Sequence, residues 1–139
     1  MKYGSIIIEK KEYVFLKRLL NVSGYAQESE TKRSLQKFNE ELQHAQIVDE
    51  EDMPEDVIRF NSKVTVSSEK GWERTIQIVT PVEKDFSNNK ISFLTPMGSA
   101  LFGYSANDTV IWDFPKGTQQ LKIVAVSQEK NTTNRKISI

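Results

Sequence analysis

The spacing of apolar residues changes near residue 60, from the repeat of a helix to the two-residue repeat of strands. Before that point, apolar residues recur every three or four positions in two stripes: Tyr13, Leu16, Leu19 and Leu20, then Leu35, Phe38, Leu42 and Ala45. Such stripes are typical of amphipathic helices. Gly24 is suited to end the first helix and Ser29 to begin the second. The pattern predicts a short antiparallel helical hairpin, with arms of about 20 Å at about 1.5 Å per residue.

An acidic run, residues 49–52, follows the second stripe, and Met53-Pro54 should prevent a helix from continuing. We expect residues 49–60 to be a linker, because runs of charge are usually solvated. A second interpretation is that these carboxylates meet a basic surface of a partner and speed docking.

From Asn61 onward, apolar residues alternate with polar ones in four segments: Val64 and Val66; Trp72, Ile76 and Ile78; Val110, Trp112 and Phe114; Leu121, Ile123 and Ala125. Strands joined by turns such as Pro115-Lys116-Gly117 predict an antiparallel sheet. The chain therefore divides into a helical hairpin (1–48), an acidic linker (49–60), a sheet-containing part (61–127) and a flexible polar tail (128–139).

The stretch "ISFLTPMGSALFG", residues 91–103, combines a strand, a proline and a run of small residues. Pro96 should end the strand because proline cannot donate to a ladder. Gly98 and Ala100 would let a short helix lie close to the sheet, and Gly103 would end it. The sequence thus predicts an α+β fold, with one short helix in its sheet half.

Composition narrows the chemistry. Among 139 residues, Lys+Arg and Asp+Glu each number 19, and there is no cysteine. The balance of charge gives no support to nucleic-acid binding, which needs clustered cations. The absence of cysteine excludes thiol catalysis and fits a reducing cytoplasm. His44 is the sole histidine, on a polar surface, and no phosphate loop or metal-spaced cluster occurs. We expect no catalytic residue, no metal and no cofactor.

The start of the chain has only three consecutive apolar residues before charges resume, which fits neither a signal peptide nor a membrane anchor. We therefore expect a cytoplasmic protein without membrane contact.

The stretch "KISFLTPMGSALFGYSANDTVIWDFPKG" resembles the C-terminal domain of the GreA/GreB-type transcription elongation factors. In that family a strand runs into Ser-Pro, a small-residue helix, a turn, a further strand and a Pro-Gly hairpin. The stretch from "ELQHAQ" to "EDMPEDVIRFNSKV" is similar to a short-armed subgroup, the regulators of nucleoside diphosphate kinase. The resemblance covers about residues 5–126. It implies a helical hairpin, or short coiled coil, attached to an FKBP-like antiparallel sheet around one short helix.

The resemblance also implies a partner, RNA polymerase, bound at the rim of its secondary channel. By position, the docking loop would be Leu94, Thr95, Pro96 and Met97. Gre factors can carry an acidic residue before their Ser-Pro pair, whereas this chain has Leu94 followed by Thr95, so its contact should be more apolar. The implied function is that of a monomeric, non-enzymatic regulator that competes with longer-armed factors for the same channel.

Two alternatives belong to other classes. In Gre factors, acidic residues at the hairpin tip help hold a metal ion for transcript cleavage, and Glu28 and Glu30 lie at the corresponding tip. The short arms and the ordinary role of glutamate in a first helical turn argue against that activity. A prolyl isomerase or chaperone module would need an aromatic pocket. We expect the candidates for such a pocket to pack in the core or in turns instead: Trp72, Trp112, Phe102 and Tyr104.

Overall fold

A computed structural model describes residues 2–23, 29–114 and 117–128. Along the chain the elements are β1 (Ile7–Glu9), α1 (Lys10–Ser23), α2 (Ser29–Leu42), β2 (Gln46–Val48), β3 (Lys63–Ser68), β4 (Glu73–Val79), β5 (Lys90–Ser92), α3 (Pro96–Leu101), β6 (Thr109–Phe114) and β7 (Gly117–Ser127). The predicted helix end at Gly24, the predicted turn at Pro115-Lys116 and most of the predicted tail lie outside the described residues.

The helical part begins and ends in a small parallel sheet that the sequence did not predict. Strand β1 pairs with β2, with Ile7 opposite Gln46. Each helix has 14 residues, or about 21 Å at 1.5 Å per residue. Helix α1 begins where the carboxylate of Glu9 accepts the backbone N–H of Glu12 at 3.0 Å, which satisfies a donor that has no partner within the helix. Strand and helix are thus joined without a loop.

The larger sheet has five strands in the order β5-β4-β3-β7-β6. Neighbours are antiparallel except β4 and β5, which run parallel with Ile78 opposite Ile91. A parallel pair needs a connection that returns to the start of the previous strand. The segment 80–89, with its 3-10 turns Pro81–Glu83 and Phe86–Asn88, makes that return. The α+β class is therefore confirmed, with one parallel pair in the predicted antiparallel sheet.

A β-bulge changes which residues of β7 face inward. Thr65 lies opposite Ala125, but the next residue, Val66, lies opposite Ile123, so Val124 is the extra residue. Leu121 and Ile123 are fully buried as predicted. The prediction that Ala125 faces inward was wrong: beyond the bulge the alternation is reversed, so Ala125 is exposed.

The two halves share one hydrophobic core. Its centre is a set of edge-to-face phenyl rings, which includes the pairs Phe15–Phe60 at 5.4 Å, Phe38–Phe93 at 4.9 Å and Phe60–Phe102 at 4.8 Å between centroids. Phe15 belongs to α1 and Phe38 to α2, whereas Phe60 lies just before β3, Phe93 just after β5 and Phe102 just after α3. Edge-to-face contacts of this kind add about 0.5–1.5 kcal/mol per pair beyond area burial. Both helices therefore pack against the sheet part through these rings.

The segment expected to be a linker is exposed at its acidic run, residues 49–52, and at Glu55, but its last four residues are buried. Val57, Ile58 and Phe60 are all 0% exposed and lie in the core. Ile58 donates its N–H to Tyr104 O at 2.8 Å and accepts the N–H of Gly103 at 2.9 Å. Because burial removes these backbone groups from water, they need such partners. Residues 57–60 therefore bind the C-terminal part tightly.

Candidate functional site

The turn between β5 and α3 is held by a dense set of hydrogen bonds. Thr95 is the N-cap: its Oγ1 accepts the N–H of Gly98 at 3.1 Å and donates to Ser92 O at 2.7 Å. Leu94 donates its N–H to Ser92 Oγ at 3.0 Å. Pro96 occupies the first helical turn, where its missing N–H costs nothing. The turn is therefore rigid.

The four residues predicted to form a docking loop differ in exposure. Leu94, Thr95 and Pro96 are half-buried, so each presents part of its surface to solvent. Met97, by contrast, is only 5% exposed and belongs to the core. The first turn of α3 points the Met97 side chain inward, where it packs in the core beneath the turn.

Gly98 permits the close approach that the sequence predicted. A Cβ at this position would lie 2.4 Å from Ser92 O and 3.0 Å from the Cα of Phe93. No real Cβ is found so close to a backbone oxygen, so α3 contacts the strand end only because residue 98 is glycine. Ala100 is half-buried and lines a groove toward α2.

That groove lies between α2, α3 and β6 and has a volume of about 130 Å³. It is lined by cationic, hydroxyl, carboxyl and apolar side chains: Arg33, Ser34, Lys37, Phe38, Glu41, Ser99, Ala100 and Ile111. Tyr104, which is buried behind these residues in the core, donates its hydroxyl hydrogen to Glu41. Burial raises the pKa of Glu41, and burial together with the Glu41 carboxylate raises the pKa of Tyr104. Both groups therefore hold their protons to a higher pH than a free glutamic acid or tyrosine side chain does.

Arg59 forms a second polar cluster, at the base of α1. Its Nε–H donates to Glu12, and both terminal nitrogens donate to Glu50 at 2.8 Å. Burial alone would lower the pKa of Arg59, but the hydrogen bonds and charges of Glu50 and Glu12 outweigh burial and raise it. The guanidinium stays charged and joins three segments of the chain. One member of the acidic run, Glu50, therefore has a structural role that neither interpretation of the run included.

Two large apolar side chains stand out from the loop 80–89. Val82 is 92% exposed and Phe86 is 80% exposed. The loop is braced from within by Asp85, which accepts from Ser87 Oγ at 2.9 Å and from Asn88 Nδ2 at 2.6 Å. These hydrogen bonds lower the pKa of Asp85. The signal in the sequence was two apolar residues inside an otherwise polar loop.

The remaining predictions concern the hairpin tip, metal binding, membrane contact and His44. Glu28 and the side chain of Glu30 lie outside the described part of the chain. Within the described residues, no group of three or more histidine, aspartate or glutamate side chains could hold a metal ion. No helix in that same part of the chain is long and apolar enough to cross a membrane. His44 is exposed, as predicted.

Three of the four aromatic candidates for an isomerase pocket lie in the described part of the chain and pack in or against the core. Phe102 is fully buried, and Tyr104 is 8% exposed with its hydroxyl occupied by Glu41. Trp72 is half-buried against the core. The side chain of Trp112 lies outside the described residues. Phe102 and Tyr104 are thus part of the core rather than the walls of an open pocket.

The chain is similar to known transcription elongation factors in sequence and in structure. Residues 53–128 match the family model "Transcription elongation factor, GreA/GreB, C-term". The chain is 36% identical over 81 residues to the regulator of nucleoside diphosphate kinase of Escherichia coli strain K12, a match covering 58% of this chain and 60% of that protein. It is 34% identical over 88 residues to transcription elongation factor GreA of Syntrophomonas wolfei, which covers 63% of this chain and 55% of that protein.

A solved structure of a GreA/GreB elongation factor from Nitrosomonas europaea superposes with a TM-score of 0.71. It is 31% identical and covers 88% of this chain and 99% of its own. The chain therefore matches about 60% of the length of the curated relatives but nearly all of this solved chain. These relatives are regulators and elongation factors by name.

Proposed function

We infer, because this chain belongs to the GreA/GreB family of transcription elongation factors, that it is a regulator which binds RNA polymerase at the rim of the secondary channel. The surface we assign to this contact is the turn formed by Leu94, Thr95 and Pro96, with Met97 anchoring it from the core. The protein would act in the cytoplasm as a monomer, without direct sequence-specific contact to nucleic acid.

The observation that supports this assignment is the rigidity of a partly apolar turn. Several hydrogen bonds hold the turn and the start of α3, among them those from Leu94 N–H to Ser92 Oγ and from Gly98 N–H to Thr95 Oγ1. A surface fixed before binding loses little conformational entropy when a partner arrives. Leu94 and Pro96 present apolar area there, which suits a contact made largely by burial.

We propose that the protein does not stimulate transcript cleavage. Helices α1 and α2 have 14 residues each and extend only about 21 Å. A longer arm would be needed to place Glu28 or Glu30 beside a buried catalytic metal. By occupying the rim, the protein would instead compete with longer-armed factors.

The test uses purified core RNA polymerase and a direct binding measurement. Leu94→Asp places a charge on the turn and should weaken binding at least tenfold. Because Leu94 also packs against the core, thermal unfolding would first show that the variant folds. Val14→Asp is the matched control, because Val14 is an exposed apolar residue of α1, 42% exposed, far along the chain from the turn. Failure of the wild-type protein to bind polymerase would refute the proposed function.

A second measurement separates the proposed regulator from a cleavage factor. Backtracked elongation complexes would be incubated with this protein, with a GreA factor, or with both. We expect no cleavage by this protein alone and reduced cleavage when both are present. Cleavage by this protein that disappears in a Glu28→Gln, Glu30→Gln variant would establish the alternative function.

A further inference from the structure

The groove between α2, α3 and β6 has the dimensions and charge of a receptor for one side chain of a protein partner. We propose that it receives an apolar side chain of RNA polymerase that is flanked by an acidic residue, as a second contact beside the docking turn. This inference rests on the proposed function, since it names the same partner.

Volume excludes larger ligands. The groove measures about 130 Å³, whereas sites for cofactors and drug-sized molecules usually measure about 300–1,000 Å³. A cavity of about 150 Å³ holds a benzene ring. The groove therefore fits one apolar side chain rather than a nucleotide or a cofactor.

The walls define the chemistry of that side chain and its neighbour. Phe38, Ala100 and Ile111 supply apolar surface; the ring of Phe38 is buried beneath the groove and Ile111 is 45% exposed. Arg33 and Lys37 are exposed and lie four residues apart on α2, so they occupy the same face of the helix. The third charged lining residue, Glu41, is less exposed than these two and accepts a hydrogen bond from the buried Tyr104. The outer rim is therefore cationic and complements an acidic residue.

The groove is continuous with the docking turn through α3. Pro96 begins this helix, and Ser99 and Ala100, one turn later, line the groove. Four residues of helix span about 6 Å. A partner surface that covers Leu94 and Pro96 would therefore extend over the groove without leaving α3. Contacts this close share one interface, which normally buries about 800 Å² on each side.

The test is a charge reversal with a matched control. Arg33→Glu with Lys37→Glu removes the cationic rim, and Lys17→Glu with Arg18→Glu makes the same change in net charge at exposed positions of α1. Affinity for core RNA polymerase would be measured at several salt concentrations, after thermal unfolding has shown that the variants fold. We expect the α2 variant to bind at least tenfold more weakly than the α1 variant, with a smaller dependence of affinity on salt.

A second variant tests the apolar part. Ala100→Met fills the groove from α3 and should weaken binding at high salt as well as at low salt, because it acts by volume. Equal affinity of the α1 and α2 variants, with binding still lost in Leu94→Asp, would overturn the groove proposal while leaving the proposed function intact. Absence of binding by the wild-type protein would refute both.

Discussion

Arg59, in the segment before β3, donates its Nε–H to both carboxylate oxygens of Glu12 on α1, at 3.2 and 3.3 Å. The side chains are 6% and 1% exposed, so this ion pair is inside the protein. The residues are 47 positions apart in sequence. Their pairing fixes the base of the helical part on the sheet part.

Replacing Arg59 with Met should destabilise the protein by about 3–5 kcal/mol, because the buried carboxylates of Glu9 and Glu12 would lose the guanidinium that pairs with both. Urea unfolding at neutral pH measures this loss. Glu50→Gln is the control: the side chain of Glu50 is 65% exposed, and an ion pair with an exposed partner contributes about 0–1 kcal/mol. A stability of Arg59→Met close to that of the wild type would show that the buried pair is dispensable.

Gly98→Ala should destabilise the protein by about 1–3 kcal/mol, since the new methyl group would overlap Ser92 O and force α3 away from the strand. Ala100→Gly, in the same helix, removes a methyl group without a clash and should cost no more than about 1 kcal/mol. Chemical unfolding of both variants gives the comparison. Equal losses would mean that the contact at Gly98 relaxes freely.

Phe86→Ser should change the free energy of unfolding by less than about 0.5 kcal/mol, because this ring is already in solvent. Phe93→Ala, in the ring cluster of the core, should cost about 3–5 kcal/mol. Thermal unfolding followed by circular dichroism distinguishes the two. A large loss of stability in Phe86→Ser would show that the ring packs against the rest of the protein.

Glu41→Gln should alter how stability depends on pH. Burial raises the pKa of Glu41 above its ordinary value of 4.5, so the folded state favours the protonated form. The associated stability is complete below pH 4.5 and is lost as pH rises through the folded-state pKa. Glutamine cannot ionise, so the variant should gain stability relative to the wild type between pH 4 and pH 7. A difference in the free energy of unfolding between Glu41→Gln and the wild type that stays constant with pH would contradict this.

Local features of the fold were predictable because local chemistry determines them. The stripes containing Leu16 and Phe38 gave both helices, and the order of Pro96 and Gly98 gave α3 and its close approach to the strand. The α+β class followed from these helices and from the alternating segments after Asn61. Each depends on residues within a few positions of one another.

Features that depend on distant residues were not predictable. The inward direction of Met97 depends on the core that forms above it, and the exposure of Ala125 depends on a bulge opposite Thr65. The groove needs α2 beside α3, although about 60 residues separate Lys37 from Ala100. The partner of Arg59 could not be chosen from sequence because 19 acidic residues were available.

Phe15 on α1 and Phe38 on α2 are joined through the rings of Phe60 and Phe93. Because both helices pack on the sheet part through these rings, the contacts at their base fix the direction of the helices. Their length can then be changed without altering that direction. Seven residues added to each helix would advance the far end by about 10 Å while nearly restoring the same helical faces. A graded series of such chains would measure, in steps of two helical turns, how deep a channel lies behind any rim to which the domain is attached.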